Sequence, residues 1–451
     1  MILKQIYLGC LAQASYLIAD EETKTAAVVD PRRDVGEYLD AAAKAGVQIR
    51  HILLTHFHAD FVSGHLELHR RTGATIHLGA RGRADYEFHA LHDGDTIELG
   101  GVTLRILETP GHTPESISIV VLDRGRLHAV LTGDTLFVGD VGRPDLMASI
   151  GVTAGELASQ LYDSIHSKLL ALPDETILYP GHGAGSMCGK ALAEETFSTL
   201  GHQRRFNPML QPMAKAEFVR LVTYQAEPPA YFGYDADLNR RRRATLDEVL
   251  AGFKPLPWET LPDDAQIVDT REPADYQRSH VINSFNVPLA GKYATYSGMV
   301  LDPSKPIVLI TDDGREQEAA MRLGRIGFDR VAGYVQGGIR SIPERRRRGA
   351  PHVTVAELAT WIARPDAPVL LDVRQPGEFK ASHLDGAMHI PLGRLRERAG
   401  ELPRGRWIAI YCRTGHRSSI AQSILEQVGI ESANVDGGIV AWQEEKRAVT
   451  A

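Results

Sequence analysis

The chain has 451 residues, of which 43% are hydrophobic, 24% are charged and 7% are aromatic. This length suggests about three domains, and the apolar share excludes a wholly disordered or fibrous chain. Lysine and arginine total 50 against 57 acidic residues, which gives a formal net charge of -7. The charge argues against nucleic acid as the main partner. We interpret the basic runs at 240–243 and 345–348 as solvated surface.

Cysteine content and hydropathy indicate the compartment. Three cysteines are too few for a disulfide framework, so we expect a reducing environment. No apolar stretch approaches the roughly 20 residues that span a bilayer, and the first residues do not follow the pattern of a signal peptide. We therefore expect a cytoplasmic protein with no membrane partner.

Short apolar segments alternate with glycine-rich turns over roughly the first 200 residues, with helical patterns between them. This alternation is typical of a layered α/β domain, which we place at residues 1–235. Prolines and a run of four arginines then change the composition, and we interpret 236–257 as a linker.

The rest of the chain contains an internal repeat. The sequence DTREP at 269–273 recurs as DVRQP at 372–376, about 100 residues later. Each copy continues with Ser-His, then with a Val-Pro or Ile-Pro pair, and later with Gly-Gly. We therefore predict two homologous α/β modules, at 258–349 and 350–451.

Four turns that follow apolar strands in the first domain carry an imidazole or a carboxylate. They are THFHAD (55–60), PGH (110–112), TGD (132–134) and PGH (180–182). Imidazole nitrogens and carboxylate oxygens held on rigid elements are the usual ligands of a metal ion. The alternative, histidines satisfied by ordinary hydrogen bonds, explains one such turn better than four. We keep that structural interpretation for His65, His69, His77, His89 and His92.

These turns resemble the ligand motifs of the metallo-β-lactamase superfamily, which implies an αββα sandwich. The matching residues are His56, His58, Asp60, His112, Asp134 and His182. Hydrolases of the glyoxalase II type have a histidine directly after the aspartate of the first motif, where this chain has Phe61. The missing imidazole favours a centre with one metal ion.

Within that superfamily the chain is most similar to the persulfide dioxygenases. The resemblance implies one Fe(II) ion on His56, His112 and Asp134, an arrangement that leaves positions open for O2 and a sulfur ligand. His58, Asp60 and His182 would orient these ligands or hold metal themselves. Two further residues are candidates for substrate binding. They are Arg143, which could instead pair with Asp140 or Asp145, and Tyr179, which could instead be a pocket wall.

A cysteine loop near the C-terminus carries a second chemistry. CRTGHRS (412–418) follows an apolar strand and precedes a helical stretch, so backbone N–H groups surround Cys412. This cradle favours a thiolate and suits an anion such as a persulfide, sulfite, thiosulfate or phosphate. The loop resembles the active site of rhodaneses, which implies catalytic roles for Cys412, Arg413 and Arg417.

The middle repeat has Thr311 where Cys412 stands, followed by Asp312 and Asp313. A hydroxyl without a neighbouring base is a poor nucleophile, and the acidic residues would repel an anion. We predict an inactive module that serves as a spacer, docking surface or oligomer contact, and we expect a homo-oligomer.

The whole chain resembles persulfide dioxygenase–rhodanese fusions. This implies that a low-molecular-weight persulfide, such as glutathione or coenzyme A persulfide, reacts with O2 to give sulfite and thiol. Cys412 would then transfer sulfur between persulfide, sulfite and thiosulfate. One alternative is a zinc thioester hydrolase of the glyoxalase II type with accessory rhodanese modules. Another is a sulfur carrier without turnover. The sequence does not say which thiol carries the persulfide.

Overall fold

The structure, a computed structural model, describes residues 1–145, 151–190, 192–223, 228–445 and 447–450. The chain forms two compact units. The first comprises Met1–Leu246 with Arg325–Gly327, and the second comprises Asp247–Gly324 with Phe328–Ala451. None of the helices in these described ranges combines the length and the hydropathy that a membrane span requires.

The first unit alternates strands and helices, as its sequence pattern predicts. Its strands are β1 (Ile2–Leu8), β2 (Gln13–Ala19), β3 (Thr25–Val29), β4 (Gln48–Leu54), β5 (Thr75–Gly79), β6 (His89–Leu91), β7 (Thr96–Glu98), β8 (Val102–Glu108), β9 (Ile117–Asp123), β10 (Arg126–Gly133), β11 (Ile177–Pro180) and β12 (Ser198–Thr199). Its helices are α1 (Gly36–Ala45), α2 (His65–Thr72), α3 (Ala154–Ser164), α4 (Leu200–Phe206), α5 (Lys215–Thr223) and α6 (Tyr231–Leu238).

Two six-stranded sheets form the centre of this unit. One has the strand order β1-β2-β3-β4-β5-β6, and the other has the order β12-β11-β10-β9-β8-β7. Apolar side chains from both sheets, among them Leu53 and Leu131, share one buried core. Helices α1 and α2 cover the outer face of the first sheet, and α3 and α5 cover that of the second. This is the αββα sandwich that the sequence predicts.

The second unit consists of shorter elements. Its strands are β13 (Pro255–Leu256), β14 (Gln266–Asp269), β15 (His280–Val281), β16 (Phe285–Asn286), β17 (Ile307–Ile310), β18 (Val331–Val335), β19 (Arg347–Arg348), β20 (His352–Val353), β21 (Val369–Asp372), β22 (Met388–His389), β23 (Ile408–Tyr411) and β24 (Ser432–Val435). Its helices are α7 (Leu246–Leu250, at the unit boundary), α8 (Pro273–Arg278), α9 (Tyr293–Val300), α10 (Glu316–Gly324), α11 (Val355–Ile362), α12 (Pro376–Ala381), α13 (Leu392–Arg398), α14 (His416–Gln427) and α15 (Gly438–Glu444).

The internal repeat folds as two equivalent parallel sheets. Their orders, β13-β18-β17-β14-β16 and β20-β24-β23-β21-β22, match strand for strand. The repeated Asp-x-Arg motif forms the same buried ion pair in both copies, Asp269 with Arg271 and Asp372 with Arg374. The repeat is thus present in side-chain contacts as well as in sequence.

The segment between the first domain and the repeat is partly structured. It contains the end of α6, all of α7, and β13, which pairs with β18 in a parallel arrangement. The solvated interpretation of the basic run 240–243 is wrong for Arg243, whose side chain is buried and pairs with Glu67 at 2.6 Å. A buried carboxylate needs such a partner, because an unpaired charge in the interior is costly.

Glu426, near the end of α14, joins the two modules of the second unit. Its carboxylate lies 2.9 Å from His280 Nε2 and 2.8 Å from Arg348, and it accepts a hydrogen bond from the backbone N–H of Asn283 at 3.0 Å. Burial opposes the charge, but these three donors outweigh it and lower the pKa of Glu426.

Glu426→Gln should therefore destabilise the second unit by about 1–3 kcal/mol at neutral pH. A carboxyl group with a lowered pKa stabilises the fold above its ordinary titration range and loses that contribution as the pH falls through its folded value. The difference from the parent should consequently shrink below about pH 4. Urea unfolding across pH measures it. The exposed Glu431→Gln is the control, and equal stabilities of parent and Glu426→Gln at pH 7 would contradict the assignment.

Candidate active sites

Two histidines and one aspartate, each just after a different strand of the first unit, lie close together. Ligand atoms of His56, after β4, of His112, after β8, and of Asp134, after β10, lie within 4.8 Å of one another. Nε2 of His56 lies 3.8 Å and Nε2 of His112 lies 3.5 Å from Asp134 Oδ2. Nε2 of His182 lies 3.7 Å from the same oxygen. All four side chains are buried.

The opposite ring nitrogen of each histidine is held by the protein. Nδ1 of His112 donates to the carbonyl of Arg143 at 2.8 Å, and Nδ1 of His182 donates to that of Ala12 at 3.1 Å. Nδ1 of His56 lies 2.9 Å from Thr55 Oγ1, which itself donates to Asp30 at 2.8 Å. Because a carbonyl oxygen only accepts, Nδ1 of His112 and of His182 carries a proton, and Nε2 is the nitrogen that a neutral ring can offer to a metal ion.

Several lone pairs therefore converge on one carboxylate without a donor between them. Both oxygens of Asp134 and Nε2 of His182 are buried and have no hydrogen-bond partner. Burial and the neighbouring imidazoles lower the pKa of His56, and burial lowers the pKa of His112, so neither supplies a proton. A cation is the group that satisfies such a set. The residues present thus fit a metal ion.

A second group adjoins the first. Ligand atoms of His58, Asp60 and His182 also lie within 4.8 Å of one another. Burial disfavours the charge on His58, but Asp30, 3.1 Å from its Nε2, helps to raise its pKa. The buried ring of Phe61 lies against the ring of His58, with centroids 4.3 Å apart. It occupies the position where the glyoxalase II motif has an imidazole.

Asn239 holds the loop that carries the first motif, although the sequence analysis assigned it to the linker. Its fully buried amide donates to the carbonyls of His58 and Phe61, both at 2.8 Å, and accepts from the N–H of Ser63 at 2.8 Å. Asp30 is a second residue that sequence reasoning missed. It follows the apolar strand β3, which is the signal that identified the other site residues.

The two candidate substrate residues have defined surroundings. The guanidinium of Arg143 is buried and forms two hydrogen bonds with Asp145, at 2.6 and 2.7 Å. This is one of the ion pairs that the sequence analysis gave as the alternative to substrate binding. Tyr179 is half-buried on β11, with its ring against Tyr16 and Phe197, and belongs to neither metal-ligand group.

Cys188 lies beside the metal-ligand group. Its sulfur is within 4.8 Å of ligand atoms of Asp134 and His182. Burial and the carboxylates of Asp60 and Asp134 raise the pKa of this thiol, so it is protonated at neutral pH. The five histidines interpreted as structural contribute to none of these groups among the described residues.

In the second unit the cysteine loop has the predicted strand–loop–helix form between β23 and α14. Cys412 Sγ accepts a hydrogen bond from the N–H of Gly415 at 3.2 Å and one from Ser418 Oγ at 3.4 Å. Gly438 has φ +57°, and a Cβ there would approach the carbonyl oxygen of Cys412 to 2.5 Å. Glycine at position 438, in the second Gly-Gly pair, is therefore required for the turn after β24 to approach this loop closely.

The two predicted arginines differ in their environment. Arg417 forms a bidentate ion pair with Glu378, with distances of 2.6 and 2.7 Å. Burial opposes the charge of Glu378, but this pairing outweighs it and lowers the pKa of the carboxyl group. Arg413 is exposed at the tip of the loop.

In the middle module Thr311 is buried at the end of β17, the position of Cys412 in the other copy. Asp312 and Asp313 are exposed beside it. Thr311 thus has the position of Cys412, and Asp312 and Asp313 have the positions of Arg413 and Thr414.

Sequence models of two families match the chain. The model of the metallo-β-lactamase superfamily matches residues 8–182, and that of the rhodanese-like domain matches residues 258–344 and 354–445. The first match supports the fold of the first domain, and the second supports the presence of two repeated modules.

Individual relatives match chiefly over the first domain. The human mitochondrial persulfide dioxygenase ETHE1 is 27% identical over 224 residues, which cover 49% of this chain and 80% of that protein. A probable hydroxyacylglutathione hydrolase of Schizosaccharomyces pombe is 29% identical over 232 residues, which cover 46% of this chain and 85% of that protein.

A longer match comes from a solved structure. The crystal structure of a metallo-β-lactamase from Staphylococcus aureus is 33% identical, with a TM-score of 0.68, and covers 74% of this chain and 98% of that one. The chain therefore belongs to the metallo-β-lactamase superfamily and joins a domain similar to persulfide dioxygenases to two rhodanese-like domains.

Proposed function

We propose that the protein oxidises the persulfide of a low-molecular-weight thiol to sulfite with O2, and that it transfers sulfane sulfur through Cys412. The observation that carries the proposal is the convergence of Nε2 of His56 and of His112 on the buried carboxylate of Asp134, whose oxygens have no hydrogen-bond partner. The similarity to persulfide dioxygenases supports a persulfide as the substrate, and a set of two histidines and one carboxylate favours iron as the cation. The rhodanese-like domains supply chemistry for the same sulfur species.

The overall oxidation is RSSH + O2 + H2O → RSH + SO3²⁻ + 2 H⁺, in which the outer sulfur loses electrons and O2 gains them. Iron, when bound, supplies the activation of O2 and a site for the sulfur. The chain's own residues fix the site. The hydrogen bonds at Nδ1 set the orientation of His56 and His112, and the buried environment limits access of water.

The sulfur transfer needs no metal. The Cys412 thiolate attacks the sulfane sulfur of thiosulfate, a new S–S bond forms, and sulfite leaves with the electron pair of the broken bond. The Gly415 N–H and the Ser418 hydroxyl are positioned to stabilise the sulfur anion. The reverse reaction, from Cys412 persulfide and sulfite, gives thiosulfate.

A zinc thioester hydrolase of the glyoxalase II type is the second candidate. The group of His58, Asp60 and His182 favours it, because it offers ligand atoms for a second ion, and the S. pombe relative supports it. Phe61 argues against it, since its ring stands where that motif needs an imidazole.

Oxygen uptake with a defined persulfide tests the proposal. Protein as isolated should contain about one iron per chain and consume O2 with glutathione persulfide or coenzyme A persulfide. Asp134→Ala should lower this rate more than about 100-fold, because it removes an anionic ligand. Cys412→Ser is the matched control: it should keep the oxygen uptake and lose thiosulfate sulfurtransferase activity. Zinc in the purified protein, with anaerobic cleavage of S-lactoylglutathione, would favour the hydrolase.

Phe61→His should convert the site toward two metal ions. The new imidazole would add a fourth ligand to His58, Asp60 and His182, so bound metal should rise from about one to about two ions per chain. Mass-spectrometric metal analysis after loading gives the stoichiometry, and Phe61→Leu should remain at one. Two ions per chain in the parent would refute the mononuclear assignment.

Asn239→Asp should weaken metal binding without touching a ligand. The carboxylate keeps the size of the amide but loses the donors to the carbonyls of His58 and Phe61. We expect a 10- to 100-fold lower affinity, about the usual effect of residues that support metal ligands. Metal retention against a chelator measures it. Arg241→Gln, an exposed change in the same segment, should behave as the parent, and equal retention by Asn239→Asp would contradict the role.

A further inference from the structure

The inactive module lies directly against the cysteine loop of its neighbour in the second unit. Helix α9 of the middle module packs on α13 of the C-terminal module. The ring of Tyr296, on α9, is 5.9 Å from the ring of His416, which begins α14 directly after the loop. Tyr296 is half-buried there, and both burial and the neighbouring Cys412 raise its pKa.

The contact is fixed by buried hydrogen bonds. Ser419 Oγ, on the first turn of α14, donates to Asn286 Oδ1 at 2.6 Å. The amide nitrogen of Asn286 donates in turn to the carbonyls of Asp269 and Arg271, at 3.2 and 3.0 Å. All three bonds are buried, so the middle module holds the helix that follows the cysteine loop in a defined position.

Lys292 lies at the start of α9, one turn before Tyr296, whose N–H donates to the carbonyl of Lys292 at 3.0 Å. Buried Arg322 donates to the carbonyls of Leu289 and Gly291, at 2.5 and 2.7 Å, and so fixes the turn that carries Lys292. Lys292 is half-buried. Burial and the nearby guanidinium of Arg417 lower the pKa of its ammonium group, whereas Glu378 favours the charge.

The charges around Cys412 give this lysine a role. Arg417 is matched by Glu378 in a bidentate pair, so the two together add little net charge. Thiosulfate and sulfite carry two negative charges, and their binding needs additional positive charge. Arg413 lies at the exposed tip of the loop. Lys292 caps the helix whose Tyr296 ring lies 5.9 Å from the ring of His416, directly after that loop.

We propose that Lys292 binds the anionic end of the sulfur donor or acceptor at the Cys412 site, so that the module without a nucleophile completes the site of its neighbour. This inference rests on the proposed sulfur transfer at Cys412. It gives the middle module a binding role in addition to the packing role.

Steady-state kinetics with thiosulfate and glutathione, on the full chain, tests the proposal. Lys292→Met should raise the KM for thiosulfate about tenfold with a change in kcat of less than about threefold, and Lys292→Arg should restore most of the affinity. Lys305→Met, an exposed lysine of the same module, is the matched control and should leave the KM unchanged. A KM for Lys292→Met within about twofold of the parent would overturn the role.

A second measurement separates this inference from the proposed function. Alkylation of Cys412 by anionic iodoacetate and by neutral iodoacetamide, followed by mass spectrometry of its peptide, reports the local positive charge without any turnover. The iodoacetate-to-iodoacetamide rate ratio should fall several-fold, about 3- to 10-fold, in Lys292→Met and stay constant in Lys305→Met. If the parent transfers no sulfur, the proposed function fails, while an unchanged ratio would refute Lys292 alone.

Discussion

The first unit depends on one electrostatic constraint, the convergence of imidazole lone pairs on the buried carboxylate of Asp134. Without a cation, these groups face one another in a low-dielectric interior, and each unsatisfied group costs free energy. Hydrogen bonds at Nδ1 keep the three histidines in this arrangement despite the cost. His56 contacts the Thr55 hydroxyl, and His112 and His182 each donate to a backbone carbonyl. The strands of the sandwich supply the rigidity that keeps these groups in place. We therefore expect metal binding at these residues to stabilise this region of the fold.

Much of this arrangement could be predicted from the sequence, because ligands that follow apolar strands collect at one end of a sandwich. His56, His112 and Asp134 were identified in this way, and Cys412 was identified from the strand and the helix that flank its loop. The supporting residues were harder to find. Asn239 and Arg243 lie far along the chain, in a proline- and arginine-rich segment that is typical of a linker. Asn239 is nevertheless buried against the loop after β4, and the buried side chain of Arg243 pairs with Glu67 on α2. Local composition reports the propensity of a segment, whereas their burial depends on a long-range contact that no periodicity encodes.

Arg143 is the opposite case, because the sequence made it a candidate for substrate binding and its side chain forms an ion pair in the structure. A lone arginine after a glycine-containing turn near a metal motif is a reasonable ligand for a carboxylate, but in the structure its guanidinium pairs with Asp145, two residues away. Its backbone carbonyl, and not its side chain, contacts the site through His112. The sequence offers no signal that separates these roles, because the outcome depends on the rotamer of one side chain and on the path of one loop.

The two rhodanese-like modules show how a repeat diverges without losing its fold. The Asp-x-Arg ion pair and the order of the sheet are common to both, so both copies have the contacts that stabilise the fold. The loop after the central strand lies outside these contacts, and it has Thr311 in one copy where the other has Cys412. Such a module would still be retained if its neighbour required it. The buried bond between Asn286 and Ser419, and the position of α9 beside the cysteine loop, make that requirement physical, since removal of the middle module would expose one side of the Cys412 site to water.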